Sequence, residues 1–230
     1  MFVKMDHPLN NPAWNALISG NSHLSFGNDE VKYFDAEVSP FAAFKENTPE
    51  SFHQLHDLLP HNRPVLFVAP AEIEIPAVWK VLRVIHGVQM VCEAPQLPRE
   101  IIFDMVPLTD GHVSQMLELT KLTNPGPFAS KTIDFGHYHG IFHDDQLVAM
   151  AGQRLHAFDY AEVSAVCTRP GHTGRGHAQA LIAQQMNRMQ AAGQIPYLHS
   201  RADNDRALKV YERLGFKTRI EVWFYFMVKG

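Results

Sequence analysis

The sequence predicts an α/β protein built on a mixed β-sheet, and three patterns in the second half of the chain lead to that class. Two apolar runs, His137–Phe142 and Leu147–Arg154, flank an Asp-Asp pair and are typical of a hairpin. A further apolar run, Ala161–Thr168, is followed by closely spaced glycines and then by a helical pattern. A strand, a helix and a closing strand complete the order, and this alternation indicates a mixed sheet.

The elements before the hairpin are less regular. Ile101–Pro107 is predicted as a strand, and Asp110 as the cap of a helix. That helix places apolar residues on one side, namely Val113, Met116 and Leu117. The Asn-Pro-Gly-Pro stretch at 124–127 must be a loop, because its prolines and glycine continue neither a helix nor a strand.

The last third of the chain has clear helix boundaries. Gly176–Ala192 is predicted as a helix, with Gly193 as its stop. A short strand at Pro196–Ser200 precedes a helix that Asp203 or Asn204 caps. That second helix ends at Gly215 and carries its apolar residues on one face. The closing strand is the aromatic run Val222–Val228.

The first hundred residues predict a smaller α/β region. Pro64–Ala69 has the length of a strand, Ile75–Ile85 reads as a helix that begins at Pro76, and Val88–Cys92 reads as a closing strand. The proline-containing segment Glu93–Glu100 lacks periodicity and indicates a boundary. We therefore expect an N-terminal region over 1–95 and a second domain over 100–230.

Composition and charge narrow the class of protein. The 230 residues are 46% hydrophobic and 19% charged, as in globular chains. A net charge of −4 disfavours nucleic acid as a partner. Two cysteines make no disulfide framework, and no stretch approaches the ~18 apolar residues of a membrane span. Since the first residues lack the pattern of a signal peptide, we expect a cytoplasmic protein that does not bind membranes.

The stretch Thr173–Ala178, called the glycine turn below, is the main candidate for a binding site. Gly174 and Gly176 have no side chains, so backbone N–H groups can approach a bulky anion. The helix that follows adds its unpaired N–H groups and the positive end of its dipole, which suits a pyrophosphate. The alternative is a plain tight turn. The spacing fits neither a Walker motif nor a dinucleotide fingerprint.

The residues around the glycine turn resemble the GNAT superfamily of N-acetyltransferases over roughly residues 101–228. The family's turn has the pattern Arg/Gln-x-x-Gly-x-Gly/Ala, which Gly176 and Ala178 match and Thr173 does not. The substitution at Thr173 puts affinity in doubt more than identity. A second block, Asn-x-x-Ala-x-x-x-Tyr-x-x-x-Gly-Phe, is matched at Asn204, Ala207, Tyr211, Gly215 and Phe216.

The resemblance implies a GNAT fold with an N-terminal α/β extension and direct transfer of an acetyl group from acetyl-CoA to a primary amine. The acceptor would be an amine on a small molecule or a peptide. No metal is expected, and the chain could form a homodimer. The resemblance places the pantetheine arm of the cofactor at Val166, Cys167 and Thr168. It places Asn204 and Ala207 on the far side of the groove that holds the cofactor. The residues that it assigns to the pyrophosphate are Thr173, Gly174, Arg175, Gly176, His177, Ala178 and Gln179.

Two residues are candidates for acid–base chemistry. Tyr211 would be the general acid, because a phenol with a pKa of about 10 can protonate a leaving thiolate; the alternative is a core tyrosine. Glu162 would be the base, because it lies at the position where histone-acetylating members of the family carry a glutamate. The alternatives for Glu162 are a carboxylate paired with an arginine or a water, and many members use water as the base.

Other residues are weaker candidates. Cys167 could be a nucleophile, but a small buried strand residue is the preferred interpretation, since an amine needs no acyl-enzyme. His137, His139 and His143 lie close in sequence and could hold zinc, although no cysteine or carboxylate completes a set. His199 could point toward the substrate. By family analogy, the loop Thr123–Phe128 forms one wall of the acceptor pocket.

The resemblance does not cover the N-terminal region. Its strand–helix–strand pattern loosely mirrors the end of the second half, which suggests a degenerate GNAT-like half. The alternative is an irregular extension that covers an edge strand. Two further functions stay open for the whole chain: a non-catalytic acyl-CoA-binding or sensor protein, and a purely structural interaction domain.

Overall fold

A computed structural model describes residues 7–98 and 102–230 of the chain. Five α-helices lie within these ranges: α1 (Pro12–Ile18), α2 (Pro49–Leu58), α3 (Val113–Thr123), α4 (His177–Ala191) and α5 (Asp205–Arg213). Four short 3₁₀ segments are also present, at Pro8–Asn10, Ser22–Leu24, Asp110–His112 and Thr132–Phe135. Each helix in the described ranges is too short or too polar to cross a bilayer.

The strands form two sheets. The described strands are β1 (Ser25–Gly27), β2 (Val31–Phe34), β3 (Ala42–Phe44), β4 (Val65–Ala69), β5 (Trp79–Val91), β6 (Val106–Pro107), β7 (His139–His143), β8 (Gln146–Ala157), β9 (Tyr160–Thr168), β10 (Ile195–Arg201) and β11 (Lys217–Lys229). The large sheet has the order β4-β11-β5-β10-β9-β8-β7-β6, and the small one β1-β2-β3. β9 and β10 pair in parallel and the other neighbours antiparallel, so the predicted mixed α/β sheet is confirmed.

The helix predicted at Ile75–Ile85 is wrong, because most of this segment belongs to β5. β5 pairs with β11 from Trp79 to Val91 and continues through the segment that was predicted as a separate strand, Val88–Cys92. The apolar spacing of Val78, Leu82 and Ile85 fits a helix, but periodicity alone does not separate the two structures in a short apolar run. Pairing with a distant strand decides this case.

The N-terminal region contributes two strands to the same large sheet. β5 lies between β11 and β10, and β4 covers the outer side of β11. Since the helix at 75–85 is absent, the strand–helix–strand pattern that suggested a degenerate GNAT-like half is lost. The strand at the edge agrees with the alternative of a covering extension. The division into two domains stays a prediction; Glu93–Pro98 contains no helix or strand, and Arg99 and Glu100 lie outside the described residues.

Most elements of the second half occur where the sequence predicts them, but the first strand and the cap of the first helix need correction. The strand expected at Ile101–Pro107 is reduced to β6, and Ile101 lies outside the described residues. The cap near Asp110 is Thr109, which exchanges hydrogen bonds with His112 in a capping box. Thr109 is extended, so its side chain can accept from the following turn, whereas Asp110 is already helical.

The large sheet is covered on both faces. On one face, α4 buries Ile182 and Met186 against Val163 of β9 and Leu198 of β10. On the other face, α1 and α3 pack in a second cluster that includes Tyr197. Because side chains alternate along a strand, successive residues of β9 point to opposite faces.

Candidate active site

A gap opens between β9 and β10. Their parallel pairing consists of three pairs and ends at Tyr197↔Glu162, although β9 continues to Thr168 and β10 to Arg201. β10 stays paired with β5 as far as Arg201↔Gly87. It therefore separates from β9 but remains part of the sheet. Beyond Glu162, β9 therefore presents a backbone edge that β10 does not cover.

A bulge interrupts β9 on its opposite edge, beside the gap. The ladder with β8 passes from Gly152↔Ser164 to Met150↔Cys167, which leaves Ala165 and Val166 unmatched. Ala165 has a left-handed φ of 53°, which is uncommon for a residue with a side chain. Bulges re-aim backbone groups next to functional sites. At Ala165 and Val166 the backbone of β9 is therefore unpaired with both of its neighbours, β8 and β10.

Four residues separate the end of β9 from the glycine turn, which leads into α4. Gly174 and Gly176 have φ angles of 79° and 86°, and Gly176 is the N-cap of α4. Thr173, Gly174 and Arg175 are exposed, and no other atom lies within 4 Å of the place where a Cβ on Gly174 would sit. The amide groups of the first turn of α4 have no intrahelical acceptor, so the open turn fits a phosphate group.

The side chains of the glycine turn include one permanent positive charge, that of Arg175. Arg175 is exposed, and its Nη2 donates to the carbonyl of Gly171 at 3.1 Å. His177 is buried, and burial, helped by the charges of His172 and Arg175, lowers its pKa. The lowered pKa favours the neutral ring of His177 at pH 7, so the turn offers an anion its backbone amides and the Arg175 guanidinium.

The helix α5 carries the second group of predicted residues. Asn204 caps it, since its side-chain oxygen accepts from the amide of Ala207 at 3.2 Å. Tyr211 is half-buried and packs edge-to-face on Phe216, with ring centroids 6.1 Å apart. Burial raises the pKa of Tyr211 to about 12. The phenol is therefore protonated at neutral pH and can donate a hydrogen bond.

Glu162 lies fully buried in an ion pair. Arg154 Nη2 lies 2.6 Å from Oε1 and Arg154 Nε lies 2.8 Å from Oε2, which is a bidentate contact. His199 Nδ1 also lies 2.7 Å from Oε1. Burial alone would raise the pKa of Glu162, but the charge of Arg154, the electrostatic interaction with His199 and the hydrogen bonds from both residues outweigh burial and lower the pKa to about 2.

Glu162 and Tyr211 lie on opposite faces of the sheet. Val163, next to Glu162, packs with α4, and Tyr211 packs against the same cluster. Arg154, the partner of Glu162, stacks over Phe41 at 4.7 Å in the cluster of the other face. The gap between β9 and β10 is the opening that connects the two faces.

The weaker sequence candidates occupy structural positions. Burial raises the pKa of Cys167 to about 12, so the thiol is a poor nucleophile at neutral pH. His137 lies outside β7 with a left-handed φ of 63°, so it does not share a strand face with His139, which corrects the expected strand His137–Phe142. Its Nδ1 accepts from Arg188 Nε at 2.8 Å. Among the described residues, no group of three His, Cys, Asp or Glu side chains could hold a metal ion.

The loop that follows α3 lines a depression of about 420 Å³. Its lining residues are Leu117, Thr120, Lys121, Asn124, Gly126, Pro127 and Phe128. Asn124 ends α3 in the left-handed conformation, and Phe128 packs edge-to-face on the buried Tyr138 at 5.8 Å. The predicted loop at 124–127 is confirmed, and its role as a wall of an acceptor pocket stays a prediction.

Comparison with known proteins identifies the family. Residues 138–224, which include β9, the glycine turn and α5, match the model of the FR47-like protein family. A structure from Novosphingobium aromaticivorans assigned to the GNAT family of acetyltransferases is 36% identical and superposes with a TM-score of 0.89. The match covers 98% of this chain and 100% of that one. The chain belongs to the GNAT family of acetyltransferases.

Two further proteins resemble part or most of the chain. The N-alpha-acetyltransferase RimI of Mycobacterium tuberculosis is 35% identical over 85 residues, which cover 35% of this chain and 52% of RimI. The chain thus spans about half the length of that curated relative. A GCN5-related N-acetyltransferase-like protein from Streptococcus suis is 16% identical, with a TM-score of 0.61 over 97% of this chain and 94% of that one. At this identity the likeness concerns the fold, and the predicted GNAT fold is confirmed.

Reasoning from the sequence missed three residues near the gap between β9 and β10: Arg154, Gln89 and Arg219. Arg154 pairs with Glu162, and Gln89 and Arg219 continue the same chain of contacts through His199. Each lies on a different strand. A charged residue in an apolar strand pattern was the available signal for Arg154, which ends the predicted strand Leu147–Arg154.

Proposed function

We propose that the protein is an N-acetyltransferase that moves an acetyl group from acetyl-CoA to a primary amine. One observation carries the proposal: β9, whose edge is free of β10 beyond Glu162, is separated from the glycine turn by only four residues. A ligand with a pyrophosphate at one end and a thioester on a narrow arm needs both features together. Membership of the GNAT family supports the same cofactor.

The cofactor would be held mainly by backbone groups. The open glycine turn and the first turn of α4 offer N–H donors to the pyrophosphate, so the usual Arg or Gln at the position of Thr173 is dispensable. The free edge of β9 near Val166 can pair with the amides of the pantetheine arm. A backbone N–H there can also stabilise negative charge on the thioester oxygen.

Tyr211 is proposed as the general acid. When bound, acetyl-CoA supplies an activated acyl group whose leaving group is a thiolate. Since burial raises the pKa of Tyr211 to about 12, its phenol keeps its proton until charge develops on sulfur. It then donates that proton, or a strong hydrogen bond, to the departing sulfur.

Water is the better proton acceptor from the amine than Glu162. An alkyl ammonium has a pKa of about 10.4, so direct transfer to a carboxylate with a pKa of about 2 costs roughly 11 kcal/mol. Loss of the same proton to solvent at pH 7 costs roughly 5 kcal/mol. We therefore propose that the neutral amine attacks, and that the Glu162→Gln variant retains the acidic limb of the pH–rate profile. A lost or displaced limb would restore Glu162 as the base.

The proposed acceptor is an amine on a small molecule or a peptide. The RimI relative is an N-alpha-acetyltransferase, which favours a peptide α-amine as the acceptor. The depression beside Phe128 is the proposed place for the acceptor's body. A cytoplasmic location and a homodimer stay predictions.

The deciding experiment measures free-thiol release from acetyl-CoA in the presence of short peptides and small amines. Release that depends on both components supports the enzyme. Saturable CoA binding without release of free thiol in the presence of any amine in this panel of peptides and small amines would favour the acyl-CoA-binding or sensor alternative. A CoA titration that leaves the melting temperature unchanged would favour a purely structural domain.

A further inference from the structure

A continuous row of polar side chains crosses five neighbouring strands of the large sheet. The strands are consecutive in the sheet, in the order β11-β5-β10-β9-β8. Each contributes one residue, and the row, called the polar row below, consists of Arg219, Gln89, His199, Glu162 and Arg154. It passes over β9 and β10, which pair in parallel within the large sheet, near the point where their backbone pairing ends.

The contacts along the polar row are all short. Arg219 Nη1 lies 2.8 Å from Gln89 Oε1, and Gln89 Nε2 lies 3.1 Å from His199 Nε2. His199 Nδ1 lies 2.7 Å from Glu162 Oε1, and Arg154 completes the row. Gln89 and Glu162 are fully buried, so an incomplete row would leave polar groups without water.

Hydrogen-bond chemistry fixes the direction of the polar row. A guanidinium only donates, so Gln89 Oε1 accepts from Arg219. A carbonyl only accepts, so Gln89 Nε2 donates to the carbonyl of Leu9 at 2.9 Å. With the amide fixed at both ends, the second N–H of Nε2 points to His199 Nε2, which must be unprotonated. His199 is therefore neutral with its proton on Nδ1, and that proton is donated to Glu162.

The polar row also reaches the N-terminal segment. Besides the bond from Gln89 to the carbonyl of Leu9, Arg219 Nη2 donates to the side-chain oxygen of Asn10. Leu9 is fully buried in the cluster that α1 shares with Tyr197. Leu9 and Asn10 are thus tied to β5 and β11, the two strands that follow β10 on the side away from the gap.

We propose that Gln89 and His199 are positioning residues that set the separation of β9 and β10 where the thioester arm enters. At this level the backbone ladder has stopped, and the Glu162–His199 contact is the hydrogen bond that joins the two strands on this face. Gln89 keeps His199 in the tautomer and orientation that this contact requires. The role rests on the proposed use of the gap for acetyl-CoA.

The test uses the full chain with ¹⁵N-labelled histidine and two matched variants. Q89M breaks the polar row, whereas Q185M removes an equally buried glutamine that bonds Gln153 and the carbonyl of His137, outside the row. Comparison with H199Q assigns the His199 signals. At pH 8 we expect Nδ1 protonated and Nε2 unprotonated in wild type and Q185M, and a shifted Nε2 signal in Q89M.

The same three proteins are titrated with CoA by calorimetry. Loss of one buried hydrogen bond at the gap predicts about a three- to tenfold weaker affinity for Q89M, with Q185M close to wild type. A protonated Nε2 in wild type, or equal affinities of Q89M and wild type, would overturn the proposal. If wild type itself does not bind CoA, the proposed function fails, and the histidine spectra still decide whether the polar row exists.

Discussion

Glu162 and His199 lie on the two parallel strands that border the gap, and their side chains join just beyond the last backbone pair. Their contact, 2.7 Å between Oε1 and Nδ1, follows the pair Tyr197↔Glu162. A side-chain bond thus takes over where the ladder ends. Since Arg154 binds the same carboxylate on its other side, Glu162 is committed to two partners before any substrate arrives.

The Glu162 ion pair predicts a specific dependence of stability on pH. The pKa of Glu162 falls from 4.5 to about 2 on folding, so its contribution of about 3 kcal/mol is present above pH 4.5 and is lost as the pH falls toward 2. Denaturant titrations of wild type and Glu162→Gln should therefore differ most near neutral pH. The difference should shrink by about that amount in acid.

The matched control for this prediction removes both charges. Glu162→Gln leaves Arg154 buried without a counter-ion and should cost about 3–5 kcal/mol at pH 7. The double variant R154M/E162Q should recover much of that loss, because a buried pair contributes little beyond its own desolvation. A pH-independent difference between wild type and Glu162→Gln would contradict the low pKa.

Tyr211→Phe removes the proposed proton donor and leaves the ring that packs on Phe216. We expect acyl transfer to fall about 10²-fold or more, the range typical of general acid catalysis, with little change in CoA affinity. The measurement is thiol release with an amine identified by the panel. An unchanged rate would remove Tyr211 from the mechanism.

Gly174→Ala tests the backbone of the glycine turn. The added methyl group has open space, but a φ of 79° costs a residue with a Cβ about 1–2 kcal/mol, which the loop can relieve only by moving its amides. CoA affinity should fall by roughly tenfold, as measured by calorimetry.

Gly193→Ala is the control for the glycine turn. Gly193 follows the other end of α4 with a φ of 72° and equally open space. The substitution should cost similar stability in thermal unfolding and leave CoA affinity unchanged. Equal losses of affinity in both variants would show that strain in α4, rather than the turn itself, controls binding.

Gly152→Ala tests a close approach on β8. A Cβ on Gly152 would lie 2.3 Å from the ring of Tyr138, which is itself buried against Phe128. Overpacking should destabilise the protein by about 1–3 kcal/mol in urea unfolding. A Cβ on Gly111 would lie 3.8 Å from the Thr109 hydroxyl, an ordinary contact, so Gly111→Ala should be neutral by comparison.

The two thiols should resist alkylation in the folded protein. Burial raises the pKa of Cys92 to about 11 and of Cys167 to about 12, so thiolate is scarce at pH 8. Iodoacetamide followed by mass spectrometry should find both unmodified until denaturant is added. Rapid modification of native Cys167 with loss of activity would reopen its role as a nucleophile.

Local features were predictable because their physics is local. The hairpin at Asp144 and Asp145, the glycine boundaries of α4 and the Asn204 cap of α5 each depend on a few neighbouring residues. The site residues on these elements were named for the same reason, with the family motif supplying their roles.

Long-range pairing was beyond reach. The first half of β5, up to Ile85, reads as a helix until β11, more than a hundred residues later, supplies hydrogen bonds along its length. Arg154 and Arg219 gain their positions from irregularities in two separate ladders, and Gln89 meets His199 across a strand pair. None of these has a short-range signature.

The sequence by itself determined the strand–glycine turn–helix unit and the ends and caps of the helices near it, because backbone conformation and capping act within a few residues. The tertiary structure alone decided that β9 and β10 part beyond Glu162, that the N-terminal region fills the sheet between β10 and β11, and that Glu162 is an ion-paired carboxylate. Burial and charge pairing depend on which distant strands become neighbours, and that choice belongs to the whole chain.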